Sequence, residues 1–163
     1  MNLVHLLAKT QLFAGIDPAA LEEIAGFTTR AVYEPRVGED TLIFSEADLS
    51  GPDLYLILSG EVTLNKELNF KGVAFYKKVD ALEDEVYGEI AWMLKQRHLS
   101  DIHANSRVVL LRIDGVQLES FLENHTEIAA LFWKRIAVTV ARRLTWTFLK
   151  YRASTEWDNV FKF

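Results

Sequence analysis

Gly88-Glu89-Ile90-Ala91, followed shortly by Arg97-His98-Leu99-Ser100-Asp101, is the run of residues with the most chemical potential in this sequence. Gly88 has no Cβ, so a ligand can approach its backbone closely. A short helical turn after it would leave N–H groups unpaired, and such groups face an anion well. Glu89 can accept a hydrogen bond from a hydroxyl. Arg97 offers a planar cation suited to phosphate, and neutral His98 offers one donor where Arg offers five. The chemistry these residues support is the holding of a small anionic ligand. Glu89 has no nucleophile or second acid beside it in sequence. No Gly-x-Ser-x-Gly, Walker loop or dinucleotide fingerprint occurs, and no enzyme is expected.

The elements that must position these residues are legible from pattern. Leu3, Leu6 and Leu7 share one helical face, and Phe13-Ala14-Gly15-Ile16 reads as a turn. Asp17 and Pro18 then cap and start a second helix that ends at Gly26. From Phe27 to Ile113 the pattern becomes short strands with turn punctuation. The runs are Thr28–Tyr33, Thr41–Phe44, Leu54–Leu58, Glu61–Leu64, Val73–Tyr76, Ile102–Ala104 and Arg107–Ile113. Ser59-Gly60 between two of them carries a tight-hairpin signal. About eight short strands at this spacing predict a mainly β fold, an antiparallel β-roll or jelly roll. Asp114 caps a helix ending near Asn124, and Thr126 to about Arg152 contains no Gly or Pro. That last helix would run roughly 40 Å. Ile128, Phe132, Ile136, Val140, Leu144 and Phe148 recur on it every four positions, widened by Leu131, Val138 and Leu149. One domain is expected over 1–163, with helices at 1–26, a β-roll at 27–113, helices at 114–152 and a short tail at 153–163.

Helix, eight-strand roll, short helix and long helix is the order of the cyclic nucleotide-binding domain, and four local phrases are similar to that family. Leu12-Phe13-Ala14-Gly15-Ile16 resembles its opening segment, and Ile43-Phe44-Ser45-Glu46-Ala47-Asp48 resembles one of its turns, with Ala47 in a glycine place. Asp53 to Val62 is similar to its central strand pair, and Tyr87-Gly88-Glu89-Ile90-Ala91 to the start of its phosphate-binding cassette. The resemblance implies cyclic AMP or cyclic GMP as the ligand; the residues themselves specify no resident cofactor. It implies that Glu89 meets the ribose hydroxyl and that an arginine further on pairs with the cyclic phosphate. It also implies a long C-terminal helix that lids the site or pairs with its twin.

The cassette departs from the family where the phosphate would sit. Aligned without a gap from Gly88 to Ala104, His98 stands in the arginine place. Leu99 and Ser100 take the next two positions, and Asp101 replaces a hydroxyl residue. A carboxylate about 4 Å from a phosphate repels it by about 4 kcal/mol at an effective dielectric near 20. Losing a charge-assisted bond costs a further ~1.5–3 kcal/mol. Together these exceed the roughly 4 kcal/mol between micromolar and millimolar binding. A one-residue slip that turns Arg97 inward would restore a cation. The expectation is a regulatory, ligand-sensing domain in which cyclic nucleotide binding is weak or lost. The alternative is a ligand-free protein-interaction or dimerisation module on the same fold.

Composition bounds the rest. The chain has 163 residues, 50% hydrophobic and 25% charged, which suits one soluble domain with a real core. It has no Cys, so disulfides, thiolate nucleophiles and Cys-based metal sites are excluded. His98, Asp101 and His103 could be read as a metal set on a cupin-like barrel. The cupin pair of His one residue apart followed by Glu is missing, and solvent-facing polar residues are the reading adopted. Residues 1–125 carry 11 Lys+Arg against 20 Asp+Glu, and residues 126–163 carry 7 against 3. The acidic body repels nucleic-acid phosphates, and the stretch after Arg152 is too short for a helix-turn-helix, so no DNA partner is expected. No signal peptide or membrane span is apparent, and a cytoplasmic location is expected. A helix this long exceeds what one small barrel covers, so a homodimer through residues 128–149 is expected, with an unidentified protein partner as the other use of that surface.

Overall fold

Val108-Val109-Leu110-Leu111-Arg112-Ile113 is buried except at Arg112. A strand that is apolar on both faces belongs in the middle of a sheet with both faces covered. The computed structural model places it there, and describes residues 2–35, 41–45, 53–70, 73–79, 85–98 and 100–153. In chain order the elements are α1 (Leu3–Lys9), α2 (Pro18–Gly26), β1 (Thr28–Tyr33), β2 (Thr41–Phe44), β3 (Leu54–Ser59), β4 (Val62–Phe70), β5 (Val73–Val79) and β6 (Glu85–Tyr87). They continue with α3 (Glu89–Leu94), β7 (Asp101–Ala104), β8 (Val108–Ile113), α4 (Gly115–Asn124) and α5 (Thr126–Ala153). One sheet runs β1-β8-β3-β6 and the other β2-β7-β4-β5, with antiparallel pairing throughout. The mainly β architecture with flanking helices matches the sequence pattern.

Alternation along the central strands builds two cores. Leu54, Leu56, Leu111 and Ile113 face the helices, where Phe13, Trp92, Phe132 and Ile136 close over them. Tyr55, Ile57, Val108 and Leu110 face the other sheet and meet Phe44, Val62, Tyr87 and Ile102. This is the two-residue period of a strand used on both sides. Helix starts follow the caps read from sequence. Asp17 accepts from Ala19 N at 3.0 Å, and Asp114 accepts from Val116 N and Gln117 N at 3.0 and 2.9 Å. The Gln117 hydrogen bond is the main cause holding the Asp114 carboxyl below its ordinary pKa.

One expectation needs correction. β3 and β4 do not form a hairpin: β3 pairs with β8 and β6, whereas β4 lies in the other sheet. Gly60 is instead the corner where the chain changes sheets, with φ +105°. A Cβ there would lie 2.5 Å from Arg107 O and 2.8 Å from Val108 Cα. Close backbone packing, rather than a turn type, demands this glycine. Glu85–Tyr87, not among the seven runs read from the pattern, completes the eight strands and pairs with β3 through Tyr87↔Tyr55 and Glu85↔Ile57. Three residues beginning with an acid give too little alternation to be seen in sequence. The Glu46–Asp48 turn and the tail from 154 lie outside the described residues. Among the described residues no helix is long and apolar enough to cross a membrane.

Candidate functional site

β6 delivers the chain to Gly88, which adopts φ +82° as the N-cap of α3. A Cβ at Gly88 would lie 2.4 Å from Asp53 O and 3.3 Å from both the His98 and Tyr55 rings. Dihedral angle and close approach therefore both require glycine. The tight turn drives the next side chain inward, and Glu89 is 2% exposed.

A carboxylate at that depth needs a partner, and the long helix supplies one. Arg143 on α5 donates from Nη1 to Glu89 Oε1 at 2.5 Å and from Nη2 to Val86 O. Its guanidinium lies 4.7 Å from the centre of the Tyr87 ring. One side chain thus holds the acid, the backbone before the turn and an aromatic face. An Arg fork does this where a Lys point charge would not. Arg143 was not among the residues picked from the sequence.

The remaining cassette residues divide between the inside and the outside of this turn. His98 is buried, its ring 4.2 Å from Phe44 and edge-on to Tyr55 at 6.1 Å. It is an aromatic filler beneath Gly88. Arg97 is exposed and does not border the cavity, while its neighbour His98 packs inward on Phe44. Ser100 borders the cavity together with Ile90 and Ala91. Asp101 does not; it accepts from Ser45 Oγ at 2.9 Å, tying β7 to the end of β2. Leu99 lies outside the described residues. What remains between Phe44, Tyr87, the Gly88–Ala91 turn, His98 and Arg143 is a cavity of about 80 Å³. Trp92 sits in the helix-side core and donates to Gly115 O at 2.8 Å. Among the described residues no group of three His, Asp or Glu could hold a metal.

No protein-family model matches the sequence, and neither does any curated protein. Solved structures do match. A cyclic nucleotide-binding domain from Methylobacillus flagellatus superposes with TM-score 0.71 and 17% identity, over 91% of this chain and 80% of its own. A Geobacter metallireducens protein assigned to the cyclic nucleotide-binding proteins gives TM-score 0.69 and 21% identity, over 88% and 99%. The regulatory subunit of a cAMP-independent protein kinase A from Trypanosoma brucei gives 0.61 and 17%, over 78% and 44%. This chain has the cyclic nucleotide-binding domain fold.

Within that fold, Asp53 ties the cassette to its surroundings. It accepts from Arg112 Nε at 2.5 Å and from Gly115 N at 3.2 Å, joining β3, β8 and the start of α4. Its hydrogen bond to Arg112 raises that guanidinium further above its ordinary pKa. Its own carbonyl is the atom that Gly88 packs against. The sequence signal for Asp53 was its place at the head of the central strand phrase. The signal for Arg143 was subtler: it lies eleven residues after Phe132, three full turns along the same buried face.

Proposed function

We propose that this chain is a regulatory domain in which the cyclic nucleotide-binding fold is held shut by its own long helix. The observation that carries this reading is Arg143 on Glu89. The acid that the resemblance gives to a ribose hydroxyl is already engaged by a cation from the same chain. A cavity of about 80 Å³ holds a few waters at about 30 Å³ each, whereas small-molecule sites occupy roughly 300–1,000 Å³. Cyclic AMP and cyclic GMP therefore bind weakly or not at all in this conformation. A small anionic ligand at Gly88, Glu89, Ile90, Ala91, His98 and Ser100 requires Arg143 to withdraw, which would move α5 between two positions. The Trypanosoma brucei protein named cAMP-independent supports the idea that this fold can serve without cyclic AMP.

The domain carries no chemistry of its own in this reading and works in the cytoplasm by engaging another protein surface. Leu144, Phe148 and Leu149 are 56%, 55% and 59% exposed on the second half of α5. We assign that stretch to pairing with a second copy; a monomeric mass at micromolar concentration would remove this part of the reading. Nucleotide binding is tested by thermal melts with cyclic AMP and cyclic GMP up to about 1 mM. A ligand at a hundred times its Kd adds about 2.7 kcal/mol, worth several degrees for a domain of this size. No shift is expected with either nucleotide. A saturable rise would overturn the closed-site reading.

A further inference from the structure

Beside α5 lies a second cavity, of about 320 Å³, which borders the turn after α1 and Val86 of β6. Its helix residues Leu131, Lys134, Arg135, Val138 and Arg142 repeat at steps of three and four, so they share one face. Leu12, Val86, Leu131 and Val138 give it apolar surface. Arg135 donates to Leu12 O at 2.9 Å and Ala14 O at 2.6 Å, which fixes the turn that forms the opposite wall. Lys134 and Arg142 stand one helical turn to either side of Val138. Among the described residues neither makes a hydrogen bond or ion pair with a protein group. Among the described residues no acidic side chain borders the cavity.

We propose that this cavity binds a small organic monocarboxylate with an aliphatic or aryl body. Such a molecule meets both halves of the lining. Its tail covers Val138 and Leu131, and its head lies within reach of two cationic side chains that pair with no carboxylate among the described residues. The volume falls at the lower end of the range for small-molecule sites and suits a ligand of about ten non-hydrogen atoms. Inorganic phosphate would use only the cations, and a neutral alcohol only the apolar wall. The site shares no lining residue with the Glu89 cradle, although Val86, whose carbonyl Arg143 holds, borders it.

Isothermal titration with octanoate tests the proposal, with acetate, inorganic phosphate and octanol as partial probes. Saturable binding near one equivalent is expected for octanoate, with each partial probe at least about tenfold weaker. Lys134→Ala combined with Arg142→Ala should weaken octanoate about tenfold or more. Arg107→Ala, which removes a cation from a surface pair with Glu34 elsewhere, should leave it unchanged. Circular dichroism of the variants confirms that they fold; both substituted side chains are exposed. Absence of saturation by about 10 mM, equal binding of octanol or phosphate, or unchanged affinity in the double variant would overturn the assignment.

Discussion

Phe132 and Ile136, in the first half of α5, are 0% and 1% exposed, whereas Leu144, Phe148 and Leu149 in its second half are 56%, 55% and 59% exposed. Both sets are apolar, and all but Leu149 belong to one every-fourth-residue row, so hydrophobicity does not separate them. Helix geometry does. Four residues turn a helix about 40° beyond a full circle, so a row spaced by four winds away from its starting face. Leu144 lies about 120° round from Phe132 on this reckoning, while Arg143 lies only about 20° away. The residue that returns to the buried face is the cation, and there it meets Glu89. The first half of α5 is held by packing and the changeover by a charged clamp. In the second half, Leu144, Phe148 and Leu149 stay exposed.

The largest expected effect lies in the packed half. Phe132→Ala should cost about 3–5 kcal/mol in urea unfolding. Phe148→Ala should stay within about 0.5 kcal/mol at sub-micromolar concentration, where pairing of copies does not contribute. Equal losses would break the contrast between the two halves. Next comes the clamp. Arg143→Ala leaves the buried Glu89 carboxylate without its cation and should cost about 3 kcal/mol, the low end for a broken buried pair. Arg142→Ala, one residue earlier and exposed, should cost no more than about 0.5 kcal/mol.

The smallest effect sharpens the frame around the clamp. Asp114→Ala removes the cap of α4 and should cost about 1 kcal/mol at pH 7. Because hydrogen bonds from the backbone depress the folded pKa of Asp114, its contribution is complete above the unfolded value near 3.9. It is lost as the pH falls through the folded value. The gap between variant and parent in urea melts should therefore narrow below about pH 4; a gap that grew on acidification would reverse the assigned sign.

The sequence made the strand-rich body, the caps at Asp17 and Asp114 and the Gly88–Glu89 turn legible, because each depends on neighbours a few residues apart. What it hid depends on distance or on identical local signals. Ser59-Gly60 reads the same whether the chain folds back as a hairpin or passes to the other sheet; only contact with Arg107 and Val108 decides. His98 in the arginine place looked like a weakened phosphate partner, and its role as a buried ring against Phe44 and Tyr55 needed the two sheets to be assembled. Arg143 lies 54 positions from Glu89 in sequence, and an every-fourth apolar row draws attention to Leu144 instead.

Coupling between Glu89 and Arg143 is what keeps α5 over the cradle, and a double-mutant cycle with Glu89→Gln and Arg143→Met measures it directly. Unfolding free energies of the parent, both single variants and the double variant should give an interaction energy of at least about 1.5 kcal/mol. Additive losses, agreeing within about 0.5 kcal/mol, would mean that the two side chains do not depend on each other and that α5 does not hold the cradle shut.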